Sequence, residues 1–238
     1  MLLLRSTLFN LCFFIATFTF SPLLLFFRLF GLPSAWFWAK LWSKSILFFA
    51  RYLCGIKIRI EGQEHFPSES CVVMAKHQSA FETIIMPSLI PPYVWILKRE
   101  LFYIPLFGWA LWAIKTIGIR RGNPREAIKQ VNTDGSALLK QGKWVVIFPE
   151  GTRSNIGESG DYKAGGIVLA QKAEVGILPM AHNAALCWPK RGFIKKPGTI
   201  TVRFLPFISA DTIACTSRKE LLETLKNDVE KHTRELGG

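Results

Sequence analysis

CVVMAKHQSAFET, residues 71–83, is the stretch on which the fold turns: an apolar run ends at a lysine, and a short polar turn leads into a second apolar segment. The run through Ala75 reads as a buried strand and the segment after Ser79 as a helix. Two residues five apart on one helix point about 140° away from each other. His77 and Glu82 can therefore cooperate only if one lies outside the helix. With the strand ending near Ala75 and Ser79 as cap, His77 falls in the loop and Glu82 in the first turn, where the chain can fold one toward the other. Two readings stand side by side here. Ser-x-x-Glu ahead of an apolar run spells a capping box and accounts for Glu82 without chemistry. His77 is not accounted for that way, and a histidine past the carboxyl end of a buried strand sits where α/β sheets place their sites.

Outward from this stretch the same grammar repeats. IKIRI from Ile56 alternates as a half-buried strand does. CVVMA (71–75), VWIL (94–97), KWVVIF (143–148), GILPMA (176–181) and TITVRFL (199–205) are further strand candidates, mostly beside turn residues. Pro124 after Asn123 suits the first turn of a helix through residue 140, although Gly135 argues against its continuity. Ser217 with Glu220 spells a capping box before a helix whose stripe is Leu221, Leu225, Val229, His232 and Leu236. Alternation of this kind predicts an α/β domain over residues 56–238, a mixed, largely parallel sheet flanked by helices.

The first 55 residues face a different solvent. Residues 6–27 carry no charge and are long enough for a membrane helix. A secretory signal is the competing reading, but the run exceeds an ordinary signal core and Pro22 follows its small-residue candidate site. After the break at Gly31-Leu32-Pro33-Ser34, residues 35–54 gather Lys40, Lys44 and Arg51 in one arc with Ser43 nearby, and fill the remainder with Trp and Phe. We expect an N-terminal membrane-embedded two-helix segment, residues 1–55, that spans the bilayer or lies in one leaflet. More Lys and Arg follow the first helix than the single Arg5 before it, which by the positive-inside rule places the globular part in the cytoplasm, and the expected location is a bacterial inner membrane.

Thirty Lys and Arg against 17 Asp and Glu give a net charge of +13, so the partner is anionic. Beside an apolar segment, a phospholipid surface is the expected partner and nucleic acid is not. Five scattered cysteines without a C-x-x-C motif indicate neither a disulfide framework nor a zinc site. No metal is expected, for want of a ligand cluster, and no G-x-S-x-G nucleophile elbow occurs.

Four further segments carry possible chemistry. In KRELFYIPLFGW (98–109), Lys98 ends a strand candidate and can point at the crevice of His77, while Arg120 and Arg121 further on read as solvated charges or phosphate contacts. KWVVIFPEGTRS ends a strand at Pro149 and presents Glu150, Gly151, Thr152 and Arg153 in a loop. Gly151 permits close backbone approach, and Arg153 offers a planar fork for phosphate; the alternative is an ion pair between Glu150 and Arg153. In GILPMAHNA, Pro179 directly follows an apolar strand and His182 reads as a hydrogen-bonded core residue. The basic loop PKRGFIKKPG (189–198) is a solvated face or a contact for phosphates of lipid or coenzyme.

In order, HQSAFE, KRELFYIPLFGW, FPEGTRS and ILPMAHN resemble the four blocks of the 1-acyl-sn-glycerol-3-phosphate acyltransferase family, across residues 56–208. The resemblance implies transfer of an acyl group from a thioester on coenzyme A or acyl carrier protein to the sn-2 hydroxyl of lysophosphatidic acid, giving phosphatidic acid, with no other cofactor. It implies His77 and Glu82 as the catalytic pair, and Lys98, Glu150, Gly151, Thr152, Arg153 and Pro179 around the acceptor, with Arg121 a further candidate contact for its phosphate. Glu82 stands where the family usually has Asp, which moves the carboxylate by roughly 1.5 Å. The competing functions are acylation of glycerol 3-phosphate or another lysophospholipid, and a catalytically silent module that binds anionic lipid.

Overall fold

Short apolar runs bounded by Gly, Pro and polar residues become strands once both faces are covered. In the computed structural model, which describes residues 1–120 and 122–238, seven do so. They are β1 (Ile56–Glu61), β2 (Val72–Ala75), β3 (Tyr93–Lys98), β4 (Ile117–Ile119), β5 (Trp144–Ile147), β6 (Ile177–His182) and β7 (Gly198–Phe204). Their order across the sheet is β1-β7-β6-β2-β5-β3-β4. Every ladder is parallel except β6 with β7. The mixed, largely parallel sheet flanked by helices is therefore the architecture of this chain.

Alternation along the strands sorts side chains between two apolar cores. From β2, Val73 and Ala75 join one core and Val72 and Met74 the other. The first is covered by α1 (Leu2–Phe27), α2 (Leu32–Cys54), α3 (Phe81–Leu89) and α4 (Phe107–Ala113). The second lies under α5 (Pro124–Lys140), α6 (Gly165–Ala173), α8 (Ala210–Cys215) and α9 (Arg218–Glu235), with the single turn of α7 (Ala184–Cys187) closing the end of β6. Phe9, Ala35 and Ile46 of the first two helices share one core with Val73 and Val146, so the helical pair is built onto the sheet.

Two caps form as their spelling requires. The Asn123 side chain accepts from the Glu126 N–H at 3.3 Å, with Pro124 at the first helical position. The Ser217 hydroxyl accepts from the Glu220 N–H at 3.3 Å. Contrary to the expectation of a break, α5 runs unbroken through Gly135, where a Cβ would come within 3.0 Å of Leu169. The missing side chain lets α5 and α6 approach. In α9 the stripe buries Leu221, Leu225 and Val229, then passes to Thr233, leaving His232 beside Arg203 and Glu235.

In α2, Lys40, Lys44 and Arg51 are exposed among the exposed Phe37, Leu41 and Phe48. Ser43 departs from that basic arc: it is buried and donates to the Ile84 carbonyl at 2.6 Å, fixing α2 on α3. Within the segment Leu2–Phe30 an 18-residue stretch has a mean hydropathy of 1.9 with only 22% of it buried, so the segment is long and apolar enough to cross a membrane.

Candidate active site

The parallel strands β2, β5, β3 and β6 all end at one edge of the sheet, where their following loops meet. His77 follows β2 in a loop, and α3 starts at Phe81 with Glu82 in its first turn, as the spacing requires. His77 Nδ1 lies 2.6 Å from Glu82 Oε1. The same oxygen accepts from the N–H groups of Gln78 at 3.0 Å and Ser79 at 2.9 Å. Capping and pairing with His77 thus fall on one atom. Ser79 does not complete a capping box, because its hydroxyl accepts from Phe81 N–H and donates to the Trp188 carbonyl at 2.6 Å.

Glu82 is fully buried. Burial raises its pKa, but the His77 hydrogen bond, the electrostatics of the neighbouring His182 and His77 rings, and the Ser79 N–H outweigh it and leave the group below the ordinary glutamate value. The ionised carboxylate fixes the proton of His77 on Nδ1. His77 Nε2 makes no hydrogen bond among the described residues, and the side chain keeps 15% of its surface exposed. The ring stacks on Phe148 at 4.0 Å between centroids and 14° between planes, which sets its tilt.

The loop after β5 closes over this histidine from both sides of its backbone. Glu150 Oε1 accepts from His77 N–H at 3.0 Å, and Ser154 N–H donates to His77 C=O at 2.8 Å. Gly151 takes φ +68, a left-handed conformation that a side chain disfavours. The proposed ion pair between Glu150 and Arg153 is absent. Glu150 turns inward to Lys76, 3.4 Å away, while Arg153 Nη1 donates to the Lys190 carbonyl at 3.0 Å. The other N–H groups of Arg153 make no hydrogen bond among the described residues. Thr152 is exposed beside it.

Two expected binding residues stand apart from this group. Lys98 does reach the same sheet edge at the end of β3, but its half-exposed side chain lies 3.7 Å from Glu100 and bonds to none of the site residues. Pro179 is inside β6, not after it, and lines a cavity on the α9 face with Leu205, Pro206 and Leu225. A proline is tolerated there because its carbonyl still accepts from Leu205 N–H, while the β6–β7 ladder begins only at Met180. Arg121 lies outside the described residues; Arg120 is exposed.

His182 is the core residue expected. It is fully buried, Nε2 donates to the Lys76 carbonyl at 2.9 Å and Nδ1 accepts from Ala184 N–H at 3.2 Å. Burial lowers its pKa more than Glu82 and the Lys76 carbonyl raise it, so the ring is neutral, with Nε2 3.9 Å from Glu82 Oε2.

Sequence reasoning passed over Lys76. It is fully buried, and its ammonium meets Glu230 Oε1 of α9 at 2.7 Å, Glu150 Oε1 at 3.4 Å and the Glu158 carbonyl at 3.1 Å. The Tyr162 hydroxyl adds a hydrogen bond to Glu230 at 3.1 Å. The local signal was a lysine joined directly to a buried strand, which requires an acidic partner; nothing local pointed to Glu230.

The acyltransferase family profile matches residues 57–183, a segment that holds His77, Glu82 and the whole FPEGTR loop. The chain belongs to the acyltransferase family. It is 44% identical over 170 residues to the 1-acyl-sn-glycerol-3-phosphate acyltransferase of Pseudomonas aeruginosa, covering 71% of this chain and 66% of the relative. It is 31% identical over 197 residues to the mouse 1-acyl-sn-glycerol-3-phosphate acyltransferase alpha, covering 81% and 69%. The aligned part thus spans about two thirds of each relative. The crystal structure of the Thermotoga maritima 1-acyl-sn-glycerophosphate acyltransferase PlsC superposes with a TM-score of 0.83 over 100% of this chain and 98% of that one. At 21% identity, that likeness speaks for the acyltransferase fold.

Proposed function

We propose that this acyltransferase moves an acyl group from a coenzyme A or acyl carrier protein thioester to the sn-2 hydroxyl of 1-acyl-sn-glycerol 3-phosphate, yielding phosphatidic acid. The observation that carries the reading is the 2.6 Å contact between His77 Nδ1 and a buried, ionised Glu82, which turns Nε2 toward solvent as a base. Nε2 takes the hydroxyl proton as the alcohol oxygen attacks the thioester carbon. The C–O bond forms, the C–S bond breaks, and the imidazolium returns its proton to the departing thiolate. A base so placed typically contributes about 10² to 10⁴ in rate. Arg153, one loop from His77 and with donors unspent, would hold the acceptor phosphate. The relatives' names supply the acceptor.

The protein would work at a membrane. Both ends of α1 are tied to the α/β domain: the Ser6 hydroxyl accepts from Lys195 N–H at 2.9 Å, and Arg28 Nε donates to the Ala113 carbonyl at 2.9 Å. A 26-residue helix is about 39 Å long, and one fastened at both ends lies along the domain. That supports insertion into a single leaflet, here the cytoplasmic leaflet of a bacterial inner membrane. The test offers membranes bearing the protein a labelled acyl thioester with lysophosphatidic acid, glycerol 3-phosphate or lysophosphatidylcholine. Labelled phosphatidic acid is the expected product. Preference for either other acceptor would reassign the substrate, and lipid binding without any transfer would mark a silent module.

A further inference from the structure

The loop between α7 and β7, residues 188–197, holds the basic stretch that acyl transfer leaves unassigned. Its tip lies against the beginning of α1, where Asn10 Nδ2 donates to the Phe193 carbonyl at 3.3 Å beside the Ser6–Lys195 bond. Lys195 points inward. It is 4% exposed, its ammonium donates to the carbonyls of Gly192 at 2.9 Å and Phe193 at 3.0 Å, and it stands over the rings of Trp188 and Phe9. Those two hydrogen bonds make it a structural staple that draws the turn tight, although burial pushes its pKa down.

The side chains beside that staple do the opposite. Phe193 and Ile194 are 52% and 40% exposed, next to a helix whose Leu3, Leu4, Leu8 and Leu11 are exposed as well. Lys190, Arg191 and Lys196 flank them, and none has an acidic group within 4 Å among the described residues. An apolar tip ringed by free cations and continuous with an apolar helix matches the interfacial region of an anionic bilayer. The loop also touches both catalytic segments, since the Lys190 carbonyl holds Arg153 and the Trp188 carbonyl holds Ser79.

We propose that Phe193 and Ile194, with Lys190, Arg191 and Lys196 around them, dock into an anionic phospholipid surface beside α1 and set the active site at the depth of its lipid acceptor. The inference rests on the membrane reading given under the proposed function. Because the loop is already stapled, docking orders little further chain.

The test uses the full chain with Cys12 and Cys215 replaced by Ser, leaving three buried cysteines. An environment-sensitive NBD label is placed through Phe193→Cys or, separately, through Phe14→Cys on α1. Vesicles of phosphatidylcholine with phosphatidylglycerol, doped with shallow nitroxide lipids, are then added. Both labels are expected to shift to the blue and be quenched. R191Q and K196Q are expected to lower partition into these vesicles by about fivefold per cation; unchanged partition would overturn the role of the charges. Quenching at 14 with a water-like label at 193 would overturn the docking while leaving the membrane reading intact. Water-like labels at both positions would overturn both. A label at 193 that ignores lipid but responds to coenzyme A would overturn docking in favour of a coenzyme contact.

Discussion

At Glu82 one carboxylate oxygen serves three donors, the ring of His77 and two backbone N–H groups, at the positive end of α3. The longer side chain thereby closes the distance that the extra methylene had put in question. Glu82→Gln keeps acceptors for the backbone but removes the charge that, in the proposed mechanism, orients and stabilises the imidazolium. It is expected to cut turnover by about 10² or more while moving the melting temperature little. A loss confined to melting temperature would reduce Glu82 to a cap. His182 gives a pH signature with a definite sign. Its folded pKa is depressed, so the unfolded chain binds a proton that the folded chain refuses, and stability falls as pH drops through about 6.5. Glu82, also depressed, adds a second loss in the acid carboxylate range. Melting followed from pH 8 to 5 should show the first decline, and His182→Gln should flatten it. An unchanged decline in that variant would place the proton elsewhere.

Between elements, Lys76 joins the end of β2 to the FPEGTR loop and α9 through two carboxylates. Lys76→Met strands both acids in the interior and is expected to cost about 3–5 kcal/mol. Adding Glu230→Met should recover part of that in chemical denaturation; no recovery would show that the pair does not hold α9. Ser217→Ala, which removes only the cap of α9, is expected to cost about 1 kcal/mol in the same assay. The strands flanking the site were legible because each is an apolar run cut off by Pro, Gly or charge, as at Val146-Ile147-Phe148-Pro149. β4 was not. It has three residues with Gly118 at its centre, where a Cβ would come within 2.3 Å of the Phe102 ring, so its glycine serves packing rather than a turn. The α6 start at Gly165-Gly166 was hidden for the same reason, since a Cβ at Gly166 would meet Met74 at 2.8 Å. His77, Glu82 and the FPEGTR loop could be read from local spelling. The Lys76–Glu230 bond closes over 154 residues, and Pro179 was misplaced because strand propensity does not reveal which edge of a ladder is unpaired.

For the whole molecule, a helical pair sharing its core with the sheet and a basic surface of +13 net charge fit the proposal of a protein held at a lipid boundary by two forces. Raising salt screens only one of them. The chain is therefore expected to stay with vesicles at 1 M salt, roughly a 3 Å Debye length, and release into the supernatant would mean that charge alone binds it. On the proposed reading, everything at that boundary serves one proton transfer, from the acceptor hydroxyl to His77 Nε2. The direct measurement is single-turnover transfer of a labelled acyl thioester to lysophosphatidic acid in vesicles bearing His77→Ala, set beside the unaltered protein at equal folded amount. Loss of transfer by about 10² or more, with unfolding unchanged, is the predicted result; turnover close to that of the unaltered protein would contradict it.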